Sequence, residues 1–269
     1  MTSTADQTGS AKTDGPLRVK RHAHILEVTL NRPARRNALD ETLIRELRDL
    51  WSDPAPLSGV RCVVLTGAAP GFCAGADMSL LSSDRSQAPV DVRDELRFLP
   101  GMQIECPVIV AVNGVCAGGG LHFVADADIV IASDDSSFLD PHVSVGQVTT
   151  LEPLGLWLRA STAAVTRMAL IGTSERLSAQ AALSAGIVSE VVPAAEVRDR
   201  AMQLAELISR NSPTAVAASR RVIREFEEKL VGGAFQEGWD AIRAHWAHPD
   251  AKEGPRAFLE KRDPDWEPR

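Results

Sequence analysis

The stretch VIVAVNGVCAGGGLHF, Val108 to Phe123, decides how this chain is read. Its first five residues are apolar, mostly β-branched and followed by an Asn-Gly pair, the pattern of a buried strand. Three consecutive glycines then open an apolar segment of helical character. Glycines after a strand serve tight turns and close helix packing, and they also let a ligand approach the unpaired N–H groups of a helix start. Outward from this stretch, ILEVTLN (Ile25 to Asn31), CVVLT (Cys62 to Thr66) and DIVIAS (Asp128 to Ser133) read as strands, and DETLIRELRDLW (Asp40 to Trp51) as an amphipathic helix. Strands alternating with helices predict an α/β fold for the first half. From about Leu151 helical spacing dominates, with IVSEVV as one short strand candidate. Ser212 before Pro213 reads as an N-cap followed by proline at the first helical position, and Asp250 with Glu253 as a capping box.

A chain of 269 residues with 44% hydrophobic content can bury a sizeable core. Its net charge of -7, with acids and bases interspersed, provides no basic stripe for a nucleic-acid backbone. The four cysteines show no C-x-x-C spacing and sit mostly in apolar sequence, which predicts reduced, packed thiols and a cytoplasmic protein with no metal site. With no apolar run of about 18 residues, no membrane partner is expected. The polar start, residues 1–16, reads as a disordered tail, with no break between the halves that follow.

A second loop shares the logic of the first. TGAAPGFCAGADMSLL follows CVVL as NGVCAGGGLHF follows VIVAV, and each ends by opening a helix. Two such loops, if they converge, place two N–H donors on one oxygen, the arrangement that stabilises a developing oxyanion; read singly, each is an ordinary tight turn. Neither matches a Walker A loop or G-x-G-x-x-G, so nucleotide hydrolysis and dinucleotide binding lose support.

In order along the chain, LNRPARRNAL, GFCAGADM, PVIVAVNGVCAGGG, ERLSAQAALSAGIVSEVVP and DAKEGPRAFLEKR closely resemble the enoyl-CoA hydratase/isomerase family, the crotonase superfamily, from about Leu17 to the end. The resemblance implies a crotonase-like α/β spiral of β-β-α turns over residues 17–200, and a C-terminal helical trimerisation region over 201–269. It implies homotrimers, often stacked as hexamers, an acyl-CoA substrate, and no cofactor beyond the coenzyme A of that substrate. The family's oxyanion donors fall on the backbone N–H groups of Ala76 and Gly119. Its CoA-contacting segments fall on Arg35, Arg36 and Ala38 and on Ala74, Asp77 and Met78, while Phe258 and Lys261 match positions that in some relatives reach the CoA of a neighbouring subunit.

The catalytic positions depart from the family. Hydratases carry one glutamate two residues after the glycine triplet and a second in a Q-P-E sequence; here those positions hold His122 and His142. Imidazoles titrate near working pH and provide one donor and one acceptor when neutral, so general acid/base chemistry survives the replacement. Asp140 reads first as a turn residue before Pro141, with orientation of the His142 ring as the alternative. Glu152 reads as an acidic residue in the first turn of a helix capped by Thr149 or Thr150, and alternatively as a carboxylate supplied to a reshaped site. The default expectation is hydratase (hydro-lyase) chemistry on an enoyl-CoA through a thioester enolate. The alternatives are an isomerase, a carbon–carbon lyase or a thioester hydrolase of the same family, or a non-catalytic acyl-CoA binder.

Overall fold

In the computed structural model of the chain, residues 15–77, 80, 88–101 and 103–268 are described. Most of the expected tail and the CoA-contact candidate Met78 lie outside them.

Strands β1 (Leu17–His22) and β2 (Ile25–Leu30) form an antiparallel hairpin, and β2 continues in parallel to β3 (Cys62–Gly67), β4 (Val108–Val112), β6 (Ile129–Ser133) and β9 (Glu190–Val192). This gives a six-stranded sheet in the order β1-β2-β3-β4-β6-β9. Every residue of β3 and β4 is buried, as expected of strands covered on both faces. A smaller sheet, β5-β7-β8, is built from Val115–Ala117, Ser137–Leu139 and Leu177–Ser178. Each step from β4 to β5 and from β6 to β7 turns the chain from the large sheet to the small one, which is the repeating turn of the spiral.

Helix α1 (Glu41–Ser52) starts at Asp40, whose carboxylate accepts from Leu43 N–H at 2.8 Å, and it buries Leu43, Leu47 and Trp51 on one face. The short helices α2 (Pro54–Leu57) and α3 (Val92–Glu95) follow among the described residues. Helix α4 (Gly120–Asp126) leaves the glycine triplet, and α5 (Leu151–Trp157) packs against it and is followed by α6 (Thr162–Ile171) and α7 (Ala179–Ala185). Helix α8 (Val197–Ser209) covers the other face of the large sheet, placing Val197, Ala201 and Ala205 against Cys62, Val64, Ile109 and Ile131. Residue 200, expected to end the core, therefore lies inside a helix packed on the sheet. Helix α9 (Pro213–His245) is 33 residues long and begins as read, with Ser212 Oγ accepting from Ala215 N–H.

The capping box expected at Asp250 does not form. Helix α10 (Asp250–Glu260) has Pro249 at its N-cap without a side-chain bond, and Glu253 instead accepts from Arg256, Arg262 and Asp265 N–H. Proline at the cap moves Asp250 inside the first turn, where its side chain cannot close the motif. No described helix is long and apolar enough to cross a membrane.

Candidate active site

The two glycine loops converge. Cys73 and Cys116 pair as an isolated bridge, with Cys73 N–H donating to Val115 O at 3.0 Å and Ala117 N–H to Cys73 O at 2.9 Å. On its other side the first loop pairs with Leu39, which donates to Gly75 O and accepts from Asp77 N–H, both at 2.8 Å. Gly75, at φ +92°, lies so near the triplet that an added Cβ would sit 2.9 Å from Ala117 O and 3.3 Å from Gly119 N. Only glycine combines that conformation with that approach. An added Cβ on Gly119 would in turn lie 3.6 Å from Ala76 N. The amides of Ala74, Asp77, Ala117 and Gly118 all find backbone acceptors, whereas those of Ala76 and Gly119 have none among the described residues. Two adjacent unpaired donors are what an oxyanion requires.

The RRNAL segment fixes the first loop from below. Asn37, fully buried at φ +56°, donates to Ala68 O and Gly71 O, both at 2.7 Å, and accepts from Arg32 N–H at 2.9 Å. Arg32 holds Asp40 at 2.8 Å and Asp77 at 3.1 Å. The Asp77 carboxylate is thus tied to the loop's own scaffold. Arg35 and Arg36 are exposed beside the loop, Ala38 is buried, and Ala74 donates to Arg36 O. Phe258 is exposed on α10 and Lys261 just past its end, and among the described residues no contact joins either to Ala76 or Gly119.

Helix α4 carries His122 one turn in from the triplet, and helix α5 brings Glu152 to meet it, with His122 Nε2 to Glu152 Oε1 at 3.1 Å. The same carboxylate oxygen lies 3.7 Å from Nε2 of His142, which begins the 3-10 turn His142–Val145. On its far side His142 Nδ1–H donates to Asp140 Oδ1 at 2.6 Å, and Asp140 Oδ2 accepts from Thr149 Oγ1 at 2.5 Å. His122, Glu152, His142, Asp140 and Thr149 therefore form one continuous polar chain inside an apolar surround that includes the Phe98 ring edge-on to His122.

Two of the readings made from sequence change. Asp140 does close the turn, since His142 N–H donates to its Oδ1 at 3.2 Å, but the fully buried carboxylate also orients the imidazole, so both roles hold. Thr150 occupies the N-cap of α5 without a side-chain cap bond, and Thr149, the other expected cap, is spent on Asp140. Glu152 is in the first turn as expected, yet it is only 4% exposed and faces both imidazoles.

Burial alone would push His142 down; the Glu152 charge and the Asp140 hydrogen bond and charge overcome it and hold its pKa at about 9. Burial likewise opposes ionisation of Glu152, but the two imidazoles and the His122 hydrogen bond keep its pKa well below the usual carboxylate range. The resting site therefore contains an ionised Glu152 next to a His142 imidazolium. The buried cysteines take no part: burial pushes the Cys73 thiol up to about 12.

A cavity of about 1130 Å³ reaches this chain of residues at His122, which lines it together with Leu96, Leu99, Leu151 and Phe235. An oxyanion pair, an acid/base chain and a large cavity thus adjoin one another. Residues 20–269 match the family model described as enoyl-CoA hydratase/isomerase.

The chain belongs to the enoyl-CoA hydratase/isomerase family.

Among its curated relatives, an enoyl-CoA hydratase of Mycobacterium tuberculosis is 33% identical, over 93% of this chain and 96% of the relative. A carnitinyl-CoA dehydratase of Escherichia coli K12 is 33% identical, over 94% and 98%. The crystal structure of a carnitinyl-CoA hydratase from Mycobacterium avium superposes with a TM-score of 0.84 at 30% identity, covering 96% of this chain and all of that one. The fold is the crotonase fold.

Proposed function

We propose that the protein adds water across the double bond of a 2-enoyl-CoA, or removes it from the corresponding 3-hydroxyacyl-CoA. The observation that carries this reading is Glu152 Oε1 held between His122 Nε2 and His142 Nε2, beside the unpaired Ala76 and Gly119 amides. The thioester oxygen accepts from those two amides, so negative charge developing on it as the enolate forms is met by fixed donors; one such donor contributes on the order of 3 kcal/mol. Glu152 holds the water and takes its proton as the oxygen bonds to the β-carbon. The His142 imidazolium delivers a proton to the α-carbon, and His122 fixes the carboxylate from the other side.

The proton count closes within the site. Water loses one proton to Glu152, the enolate gains one from His142, and transfer from Glu152 to His142 restores the resting state. The ion pair that makes Glu152 a weak base disappears as His142 gives up its proton, so its basicity rises within the turnover. The reaction needs no cofactor beyond coenzyme A. Arg35 and Arg36, with Ala38, Ala74 and Asp77 around them, form the entry at which CoA phosphates dock.

The protein works in the cytoplasm, in keeping with its free cysteines, as a homo-oligomer. The exposed stripe Val222, Ile223, Phe226 and Leu230 on α9 supports self-association. Phe258 and Lys261 reach CoA only from a neighbouring copy.

Loss of enoyl absorbance on adding a 2-enoyl-CoA, with a 3-hydroxyacyl-CoA as product, tests the reaction. Thioester binding without turnover would leave an acyl-CoA binder and refute it.

A further inference from the structure

The cavity behind His122 exceeds the roughly 300–1,000 Å³ typical of pockets for drug-sized ligands. At about 1130 Å³ it would be left largely empty by a short acyl group. Leu96, Leu99, Leu151 and Phe235 line it together with charged side chains, among them Arg159, Arg220 and Arg224 and, on the same helix as His122, an acid. Asp126 follows His122 by four residues on α4, so the two share a helix face about 6 Å apart along the axis, and both line the cavity.

Asp126 is 7% exposed. Its Oδ2 accepts from Gly101 N–H at 2.6 Å, and its Oδ1 accepts from no described residue. An added Cβ on Gly101 would lie 2.6 Å from both carboxylate oxygens, so glycine there admits the contact. The neighbouring Asp128 differs: it accepts from Val108 N–H, Arg220 and Arg224, and its capacity is taken up within the fold. Burial raises the Asp126 pKa, against the opposing pull of Arg224 and the Gly101 N–H. Asp126 thus turns an open acceptor toward the cavity, beside Arg159, Arg220 and Arg224, which line it too.

We propose that Asp126 is a specificity-determining residue, accepting a hydrogen bond from a hydroxyl group on the distal part of a bulky acyl chain, about one helical turn beyond the carbons that face His122. This rests on reading the site as an acyl-CoA site. A neutral donor fits better than a cation, because Arg220 and Arg224 already supply positive charge beside Asp126 and Asp128. An anionic terminus would meet the carboxylate unfavourably.

The test measures dissociation constants by calorimetry, using saturated acyl-CoA thioesters that cannot react. Each has a hydroxyl at one position from mid-chain to the end and is compared with the unsubstituted parent of equal length. At the best position the hydroxylated thioester binds about tenfold tighter, as expected of a hydrogen bond to a charged acceptor. Asp126→Leu brings the ratio to about one, and Asp126→Asn, which keeps an acceptor for Gly101 N–H and hence the fold, lowers it severalfold. A merely structural role would weaken both ligands alike and leave the ratio unchanged in both variants, which overturns the proposal. Equal affinity at every hydroxyl position in the unaltered protein overturns the hydroxyl assignment alone. Failure of every thioester to bind overturns the acyl-CoA reading and this inference with it.

Discussion

Replacing Asp140 by asparagine keeps a side chain of the same shape behind His142 and removes the charge. His142 stands at about 9 against an ordinary 6.5, a preference for the imidazolium of about 3 kcal/mol in the folded state. Burial works against it, the Glu152 charge is the largest single favourable cause, and Asp140 adds both its 2.6 Å hydrogen bond and its charge. Asp140→Asn is therefore expected to lower the pKa by about 1 or more, or about 1.4 kcal/mol, with Glu152 retaining the remainder. Because the folded value lies above the unfolded one, this group's stabilisation is complete below about pH 6.5 and is lost as pH rises through about 9. The unaltered protein should lose urea stability across that window, and the variant should lose less over a narrower one. Ring resonances of labelled histidine followed against pH measure the pKa directly. The proposed acid role adds that kcat falls on the alkaline side near pH 9, and at lower pH in the variant. A His142 that titrates near 6.5 with Asp140 in place, or one unmoved by Asp140→Asn, refutes the reasoning.

Four other changes probe different links. Glu152→Gln removes the shared charge and should lower kcat by about 100-fold or more while acyl-CoA affinity changes little, as single-turnover and calorimetric measurements can separate. Asn37→Ala strands the buried Gly71 O and the half-buried Ala68 O and Arg32 N–H, at a cost of about 3 kcal/mol in urea unfolding. Gly75→Ala forces a Cβ toward Ala117 O at φ +92°, so stability should fall by about 1–3 kcal/mol and kcat should drop as the Ala76 amide is displaced. Replacing Arg35 and Arg36 together by alanine should raise KM for the thioester severalfold and flatten its dependence on salt, with kcat retained.

Much of the fold was legible because its strands are covered on both faces and read as continuous apolar runs. Val108 to Val112 has the boundaries expected, and Ser212 caps its helix as read, while Asp40, expected as the first helical residue, is the cap. Strand β1 was missed because Leu17–His22 alternates apolar residues with arginine and lysine beside an already polar start. Strands β5, β7 and β8 have three residues or fewer, too few to display a period. Helix α9 continues through Gly232 and Gly233, where propensity alone would have stopped it; packing against α5 outweighs the glycine penalty.

The site divides along the same line. Paired glycine loops are local chemistry and could be read from their residues. The meeting of His122, Glu152 and His142 joins three separate elements, so spacing in sequence has no access to it. Glu152 looked like a first-turn acid because it is one; its burial against two imidazoles exists only after α5 packs on α4. Asp126 escaped notice although it stands four residues after His122, because an acid at the end of a short helix ordinarily faces solvent and this one faces the cavity.

The most direct test of the account follows a 2-enoyl-CoA in deuterium oxide by mass spectrometry, with the unaltered protein and with Glu152→Gln. The account predicts a 3-hydroxyacyl-CoA with one solvent deuterium at the α-carbon, formed rapidly by the former and at a small fraction of that rate by the latter. Hydration that proceeds equally well without the Glu152 carboxylate, or an enoyl thioester that is bound and returned unchanged, would contradict it.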